Sequence, residues 1–328
     1  MKVLKRFILK LFTICAVLGL FSSVVLGEGR VAVPFLNIPV GARFIAMGGA
    51  ATAIADDSTA MFFNPALMAF QSDNFIDFMH SVYFEDASHS WLSATFGVGQ
   101  RSAVGLSVQY FSFGRLNHIS DAGVPLGTFS PRDYAVSLGF ATEVGTRLGC
   151  FGVGISARYI HSQIFTTASA FAFDIGIASP IIETGFLYER LFIEDYLVLG
   201  AVIRNIGGTI RYNVEDEPLP LMATIGAGYH VDNMLFSFDI GLFDRKDIYF
   251  AFGAEYSLDI NDVLGMALRI GYNSLASPGF SDIDGLTGFS CGIGFRHGNI
   301  SFDYAFVPFG GLGNTHRISL TYIFGSRR

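Results

Sequence analysis

Downstream of residue 73 the chain alternates with a period of two. Val104, Leu106, Val108 and Tyr110 fall on one side of an extended segment, and Gly105, Ser107 and Gln109 on the other, which is the spacing of a β-strand with one apolar and one polar face. The same reading holds for Tyr134, Val136, Leu138 and Phe140; for Phe151, Val153, Ile155 and Tyr159 opposite Arg158; and for Phe171, Phe173, Ile175 and Ile177 opposite Asp174. It continues through Ile225 and Tyr229 opposite Thr224; Phe236, Phe238 and Ile240 opposite Asp239; Phe250, Phe252 and Tyr256 opposite Glu255; and Leu268, Ile270 and Tyr272 opposite Arg269. Phe289, Ile293 and Phe295 then oppose Arg296, Phe302, Tyr304 and Phe306 oppose Asp303, and Ile318, Leu320 and Tyr322 oppose Arg317 and Thr321. With less regular runs at 74–84, 88–98 and 195–205, the pattern predicts about fourteen strands, each near the ~9 to 11 residues that cross a bilayer when tilted.

Connection lengths sort these strands into two ends. If the first strand runs outward, the links at 100–102, 145–149, 232–233, 259–262 and 297–299 are short and inner, while those at 114–131, 207–218 and 274–285 are long and outer, as expected of an outer-membrane barrel. The link at 179–195 is long although it belongs to the inner set, and a short helix is expected within it. Tyr110, Tyr159 and Tyr272 fall near the outer rim and Tyr229, Tyr256 and Tyr322 near the inner one, where aromatic belts form.

Composition turns this pattern into a membrane argument. The chain is 51% hydrophobic with a mean hydropathy of +0.46, too apolar for an ordinary soluble domain. Yet downstream of the leader glycines and polar residues interrupt every apolar run before the ~18 residues of a spanning helix. A closed β-barrel is the other structure that pairs all its backbone groups in lipid. The fold class is therefore expected to be all-β, a transmembrane antiparallel barrel of residues 74–328.

The start of the chain carries Lys2, Lys5, Arg6 and Lys10 ahead of an apolar run from Leu11 to Leu26, with Val25 and Gly27 placed for cleavage before Glu28. This predicts a secretory signal over residues 1–27 and export to a Gram-negative-type outer membrane. Its removal leaves 17 basic against 28 acidic residues, a net formal charge of −11. An acidic exported protein is unsuited to nucleic acid, which demands a clustered basic face.

Residues 28–73 break the strand pattern. Gly48, Gly49, Ala50 and Ala51 form a small-residue patch, Asp56 and Asp57 place negative charge beside it, and Asn64, Pro65 and Ala66 interrupt the chain. Asp57 or Ser58 is expected to cap a turn over 59–63. Pro65 then ends that turn, because it has no N–H and disfavours a helical Asn64. A compact plug ahead of the barrel is the expected arrangement.

The stretch PFLNIPVGARFIAMGGAATAIADDSTAMFFNPALMA resembles the N-terminal segment of the PorV/PorQ group within the long-chain fatty acid transporter superfamily. The resemblance implies a fourteen-stranded barrel stoppered by an N-terminal hatch, with Asn64, Pro65 and Ala66 as the hatch motif and Gly48, Gly49, Asp56 and Asp57 before it. It also implies two alternative cargoes: hydrophobic small molecules, or, in the PorV branch, a partner of protein secretion and surface attachment.

Arg158 and Asp174 fall on neighbouring strands, and Asp239, Glu255, Arg269, Arg296 and Asp303 on five consecutive ones, all facing inward. Enclosed charges of this kind are expected to pair as a ladder joining strands and plug, or to guide a substrate head group. The seven histidines form no His-Glu-x-x-His pattern, so no metal, no cofactor and no enzymatic site is expected. Cys150 and Cys291 stand far apart in sequence and are expected to be free, buried thiols. Uptake of hydrophobic molecules requires apolar residues converging at the outer end, for which Phe111, Phe113, Leu116, Val124, Leu126 and Phe129 are candidates. A protein-interaction barrel requires a closed lumen and a broad loop platform. Outer-membrane lipid surrounds the protein in either case.

Overall fold

A computed structural model of the chain describes residues 32–326, apart from 84–85, 121–122, 185–194, 213–215, 245–246, 277–286 and 311–312. The expected signal sequence lies outside the described residues, as does most of the 179–195 link for which a helix was expected.

The strands are β1 (Asp73–Val82), β2 (Ser88–Val98), β3 (Ser102–Ser112), β4 (Leu116–Ile119), β5 (Pro125–Phe129), β6 (Arg132–Thr146), β7 (Gly149–Gln163) and β8 (Thr167–Ala178). They continue as β9 (Ile182–Glu183), β10 (Asp195–Gly207), β11 (Thr209–Arg211), β12 (Asp216–Pro218), β13 (Met222–Val231), β14 (Met234–Phe243), β15 (Asp247–Asp259), β16 (Leu264–Asn273), β17 (Phe289–His297), β18 (Ile300–Pro308) and β19 (Asn314–Ser326). Fourteen of them close a ring in the order β1-β2-β3-β6-β7-β8-β10-β13-β14-β15-β16-β17-β18-β19, with β19 pairing back on β1. Every pairing is antiparallel, so the ring leaves no sheet edge in lipid.

Register places the alternation on the two faces. In β8, Phe171, Phe173, Ile175 and Ile177 are exposed on the outside, while Ala168, Ala170, Ala172 and Asp174 are buried on the inside. β3 repeats this, with Leu106, Val108 and Tyr110 outside and Ala103, Ser107 and Gln109 inside. Cys291 shares the outward, exposed face of β17 with Phe289, and Cys150 is half-buried, so neither is the buried thiol expected. Besides a shift at Asp73/Asn74 where β1 meets β19, β10 carries a bulge at Arg204–Asn205 against β8, and Asn205 sits at φ 59°. The Asn205 N–H left out of the ladder donates to the Asp174 carboxylate at 2.7 Å.

At the long-loop end, β4 and β5 form one hairpin and β11 and β12 another. Phe165, in the β7–β8 turn, stacks on Phe129 of the first hairpin at 4.2 Å. The six outer candidates do not converge. Phe111 is buried in the barrel interior with Phe113 beside it, whereas Val124 and Leu126 are more than half exposed on the hairpin. The reason is that the 114–131 link pairs with itself and so projects from the wall.

Candidate functional site

Residues 32–71 fill the interior, and local chemistry explains their shape. Pro34–Asn37 is a 3-10 turn, Ala42–Ala46 and Ala60–Phe63 are single helical turns, and Pro65–Phe70 is a second 3-10 segment. Asp57 accepts the Thr59 N–H at 2.9 Å, and the Thr59 hydroxyl as well, ahead of the Ala60–Phe63 turn. Asn64 is extended at φ −161° because Pro65 follows it. Its Oδ1 accepts the Ala66 N–H at 3.1 Å and so caps the next turn.

Small residues on both partners let this segment press against the wall. A Cβ on Gly154 would overlap the backbone of Pro65 and Ala66, one on Gly200 the Thr52 carbonyl, and one on Gly271 the backbone of Met47 and Gly48. Gly48 itself has φ +69° and lies against the carbonyls of Tyr272 and Phe252. Gly49 continues the left-handed turn and donates to the Phe44 carbonyl at 2.8 Å.

Polar bonds fasten the same contacts. The Asn64 amide donates to Thr52 O at 2.9 Å and to Ile177 O of β8 at 3.2 Å. Asp239 accepts both the N–H and the hydroxyl of Thr52, at 3.1 and 2.7 Å. Ser58 binds Asp77 of β1 through its N–H and hydroxyl, the Ala42 N–H donates to Ser319 at 2.6 Å, and Asn273 donates to Gly48 O at 2.8 Å. Burial, then the carboxylates of Asp77 and Asp56, push the Asp57 carboxyl well above its ordinary value.

The inward charges form separate groups. Arg158 pairs with Asp174 at 2.9 Å and donates to Asn205 at 2.6 Å, both carboxylate and guanidinium being fully buried. Arg269 bridges Glu255 at 2.5 Å and Asp303 at 2.6 Å, and Glu255 also accepts Arg43, which reaches Asp56 at 2.6 Å. Asp239 is tied to Thr52 and makes no ion pair among the described residues, and Arg296 turns to Asp259 at the inner mouth at 2.6 Å. A continuous row of charge across five strands is therefore absent among the described residues. Sequence reasoning missed Arg43, Asp77 and Asn205. Asp77 was legible from the alternation of β1 against Ile76 and Phe78, whereas Asn205 needed the bulge.

The outer half of the interior holds an apolar cluster bordered by the buried polar side chains of His89, Gln109, Asp133, Ser162 and Arg317. Val33, Phe35 and Leu36 are buried against Phe111, Ala135, Ile160, Ile210 and Leu219. The Ala32 N–H donates to Pro218 O and the Phe35 carbonyl accepts Gln109 at 2.9 Å, so this stretch lies toward the long-loop end. Among the described residues no group of three or more His, Cys, Asp or Glu could hold a metal, and no helix is long and apolar enough to cross a membrane.

A closed ring of fourteen antiparallel strands, apolar outside and tightly filled inside, defines an outer-membrane-type β-barrel. Its fold matches the Pseudomonas putida toluene transporter TodX at a TM-score of 0.52 and 12% identity, over 88% of this chain and 98% of that one. A Pseudomonas aeruginosa FadL homologue matches at 0.54 and 12%, over 89% and 99%, and the CymD monoaromatic hydrocarbon channel at 0.51 and 13%, over 91% and 100%. At such identities the likeness is one of fold. No curated protein matches in sequence. The family profile described as type IX secretion system protein PorV matches residues 28–238, and the chain belongs to that family.

Proposed function

We propose that the protein is an outer-membrane barrel, delivered by its leader, that takes up hydrophobic small molecules past an N-terminal hatch formed by residues 41–69. The observation that carries this reading is the apolar cluster in the outer interior, where Val33, Phe35 and Leu36 pack among Phe111, Ile160, Ile210 and Leu219. A hydrophobic molecule gains the same burial when the segment leaves, at about 25 cal/mol per Å² of apolar area. Gly48, Gly49, Asn64, Pro65 and Ala66 hold the hatch closed behind that site, and the Arg43, Glu255, Arg269 and Asp303 group joins it to the wall. The fold shared with hydrocarbon and fatty acid channels is consistent with such a cargo.

The protein's one tryptophan, Trp91, is buried edge-on to Phe62 at 5.9 Å and reports on the interior. Removing residues 32–38 from the mature chain should allow toluene or oleate to change Trp91 fluorescence at concentrations that leave the intact protein unaffected. Equal responses from both forms would end the uptake reading. Deletion of residues 41–66 should turn a closed barrel into one that conducts ions in a planar bilayer, and equal conductance would mean that these residues are not a hatch.

A second reading follows from the outer hairpins. Ile119, Val124, Leu126 and Phe165 are each more than half exposed on one platform above the barrel, a surface suited to a protein partner. Family membership favours a partner in type IX secretion. A secreted protein retained in native mass spectrometry, and lost on Leu126→Glu, would support this reading, whereas a retained lipid-like molecule would support uptake.

A further inference from the structure

At the short-turn end, which faces the periplasm in barrels of this class, the interior opens into a cavity of about 770 Å³. That volume lies in the range of sites enclosing a drug-sized molecule or a short peptide segment. Its floor is the N-terminal segment, through Ile54, Leu67 and Phe70, and its wall includes Phe75 and Ile323.

Charge is distributed unevenly around this apolar floor. Six carboxyl groups line the cavity, namely Asp56, Asp57, Glu143, Glu255, Asp259 and Asp303, against the three guanidinium groups of Arg43, Arg269 and Arg296, a formal balance of −3 that becomes −2 when the buried Asp57 is protonated. All three arginines are already engaged: Arg43 with Asp56 and Glu255, Arg269 with Glu255 and Asp303, and Arg296 with Asp259. Glu143 makes no ion pair among the described residues. The side chains of Asp56 and Asp259 remain 64% and 70% exposed despite their bonds, so each can accept further donors.

A second observation points the same way. Gln71 lines the cavity and is 6% exposed; its amide donates to Asp57 O at 2.6 Å, while its Oε1 has no hydrogen-bond partner. An orphaned buried acceptor costs about 1–3 kcal/mol, and a small turn of the Gln71 side chain toward the cavity would let an entering donor relieve it. On the wall, Tyr196 and His230 stack on each other at 4.4 Å with an 11° tilt, adding aromatic surface beside the carboxylates.

We propose that this vestibule binds an arginine- or lysine-bearing, otherwise apolar segment of a periplasmic protein. The cationic side chains would meet Glu143, Asp259 and Asp56, and the apolar ones would cover Phe70 and Ile54. A free metal ion suits the site poorly, because no three carboxylate or imidazole groups of the described residues converge as ligands. A neutral hydrophobic cargo would leave the acceptors unmatched. The vestibule shares Ile54 and Asp56 with the hatch, but its test varies Glu143 and Asp259 on β6 and β15, so its failure is distinguishable from failure of the uptake reading.

The test uses the mature chain in nanodiscs of zwitterionic lipid and a fluorescein-labelled Leu-Arg-Phe-Arg-Leu peptide, read by fluorescence anisotropy, with Leu-Glu-Phe-Glu-Leu and empty nanodiscs as controls. The arginine peptide should bind, the glutamate peptide should not, and binding should weaken as salt rises. Glu143→Gln combined with Asp259→Asn should weaken it about tenfold or more, whereas Glu143→Asp should retain it. Heat-modifiable gel mobility establishes that each variant is folded. Three results would overturn the proposal: equal binding of the two peptides, no change in the double variant, or competition by arginine amide as effective as by the peptide, which would mark a site for small cations.

Discussion

Replacing Asn64 by alanine is the sharpest probe of how the N-terminal segment is held. Asn64 is fully buried, and its side chain makes three bonds, to Ala66 N–H, Thr52 O and Ile177 O. Alanine would leave the first two groups buried without these bonds, at about 1–3 kcal/mol each; the Ile177 carbonyl is only part-buried and counts for less. The segment should therefore lose about 2–6 kcal/mol of local stability, and at 1.4 kcal/mol per decade the lower bound is a roughly thirtyfold rise in its open population. The ring of strands does not depend on this side chain, so the barrel should stay folded. Hydrogen exchange of residues 42–70 in nanodiscs measures the change, with Trp91 fluorescence as a second reporter. Asn64→Asp keeps the acceptor toward Ala66 but aims a carboxylate at two carbonyl oxygens, and should be at least as damaging. Gly176→Ala should mimic both, because a Cβ there runs into Asn64 Oδ1. Unchanged exchange in Asn64→Ala would refute the idea that this residue fastens the segment.

Gly48→Ala combines a φ of +69° with a Cβ about 2.8 Å from Phe252 O, and should accelerate exchange around residues 46–51 at a cost of about 1–3 kcal/mol; a variant as protected as the parent would contradict the packing. The folded-state pKa of Asp57 is raised, so its contribution is intact below the ordinary carboxylate range near pH ~4 and is lost as pH rises through the elevated value. Exchange of residues 56–63 should accordingly increase with pH beyond its intrinsic trend, and Asp57→Asn should flatten that increase. Ile270, 61% exposed on the lipid face, should hinder membrane insertion when replaced by arginine, by about 2–4 kcal/mol near the midplane. Ser257→Arg, in the polar vestibule, should insert normally, and equal insertion defects would contradict the assigned faces.

Sequence alone determined which faces of the strands meet lipid, because a period of two in apolar residues admits one orientation per strand: Phe171 to Ile177 and Leu106 to Tyr110 could be read directly. Strand number and the sorting of links followed from the same pattern. The turn chemistry of Asp57, Asn64 and Pro65 was also local, since each bond it makes to Thr59 or Ala66 spans only two residues. Only the tertiary structure decided which charges pair. Periodicity shows that Asp239, Arg296, Glu255 and Arg269 point inward, but the stagger between strands and the position of the N-terminal segment send Asp239 to Thr52, Arg296 to Asp259, and Arg43 into the Glu255 group. The bulge at Asn205 and the outward hairpin at 116–129 were hidden for a related reason: both depend on how one strand pairs with another, and pairing is a property of two segments that neither one encodes by itself.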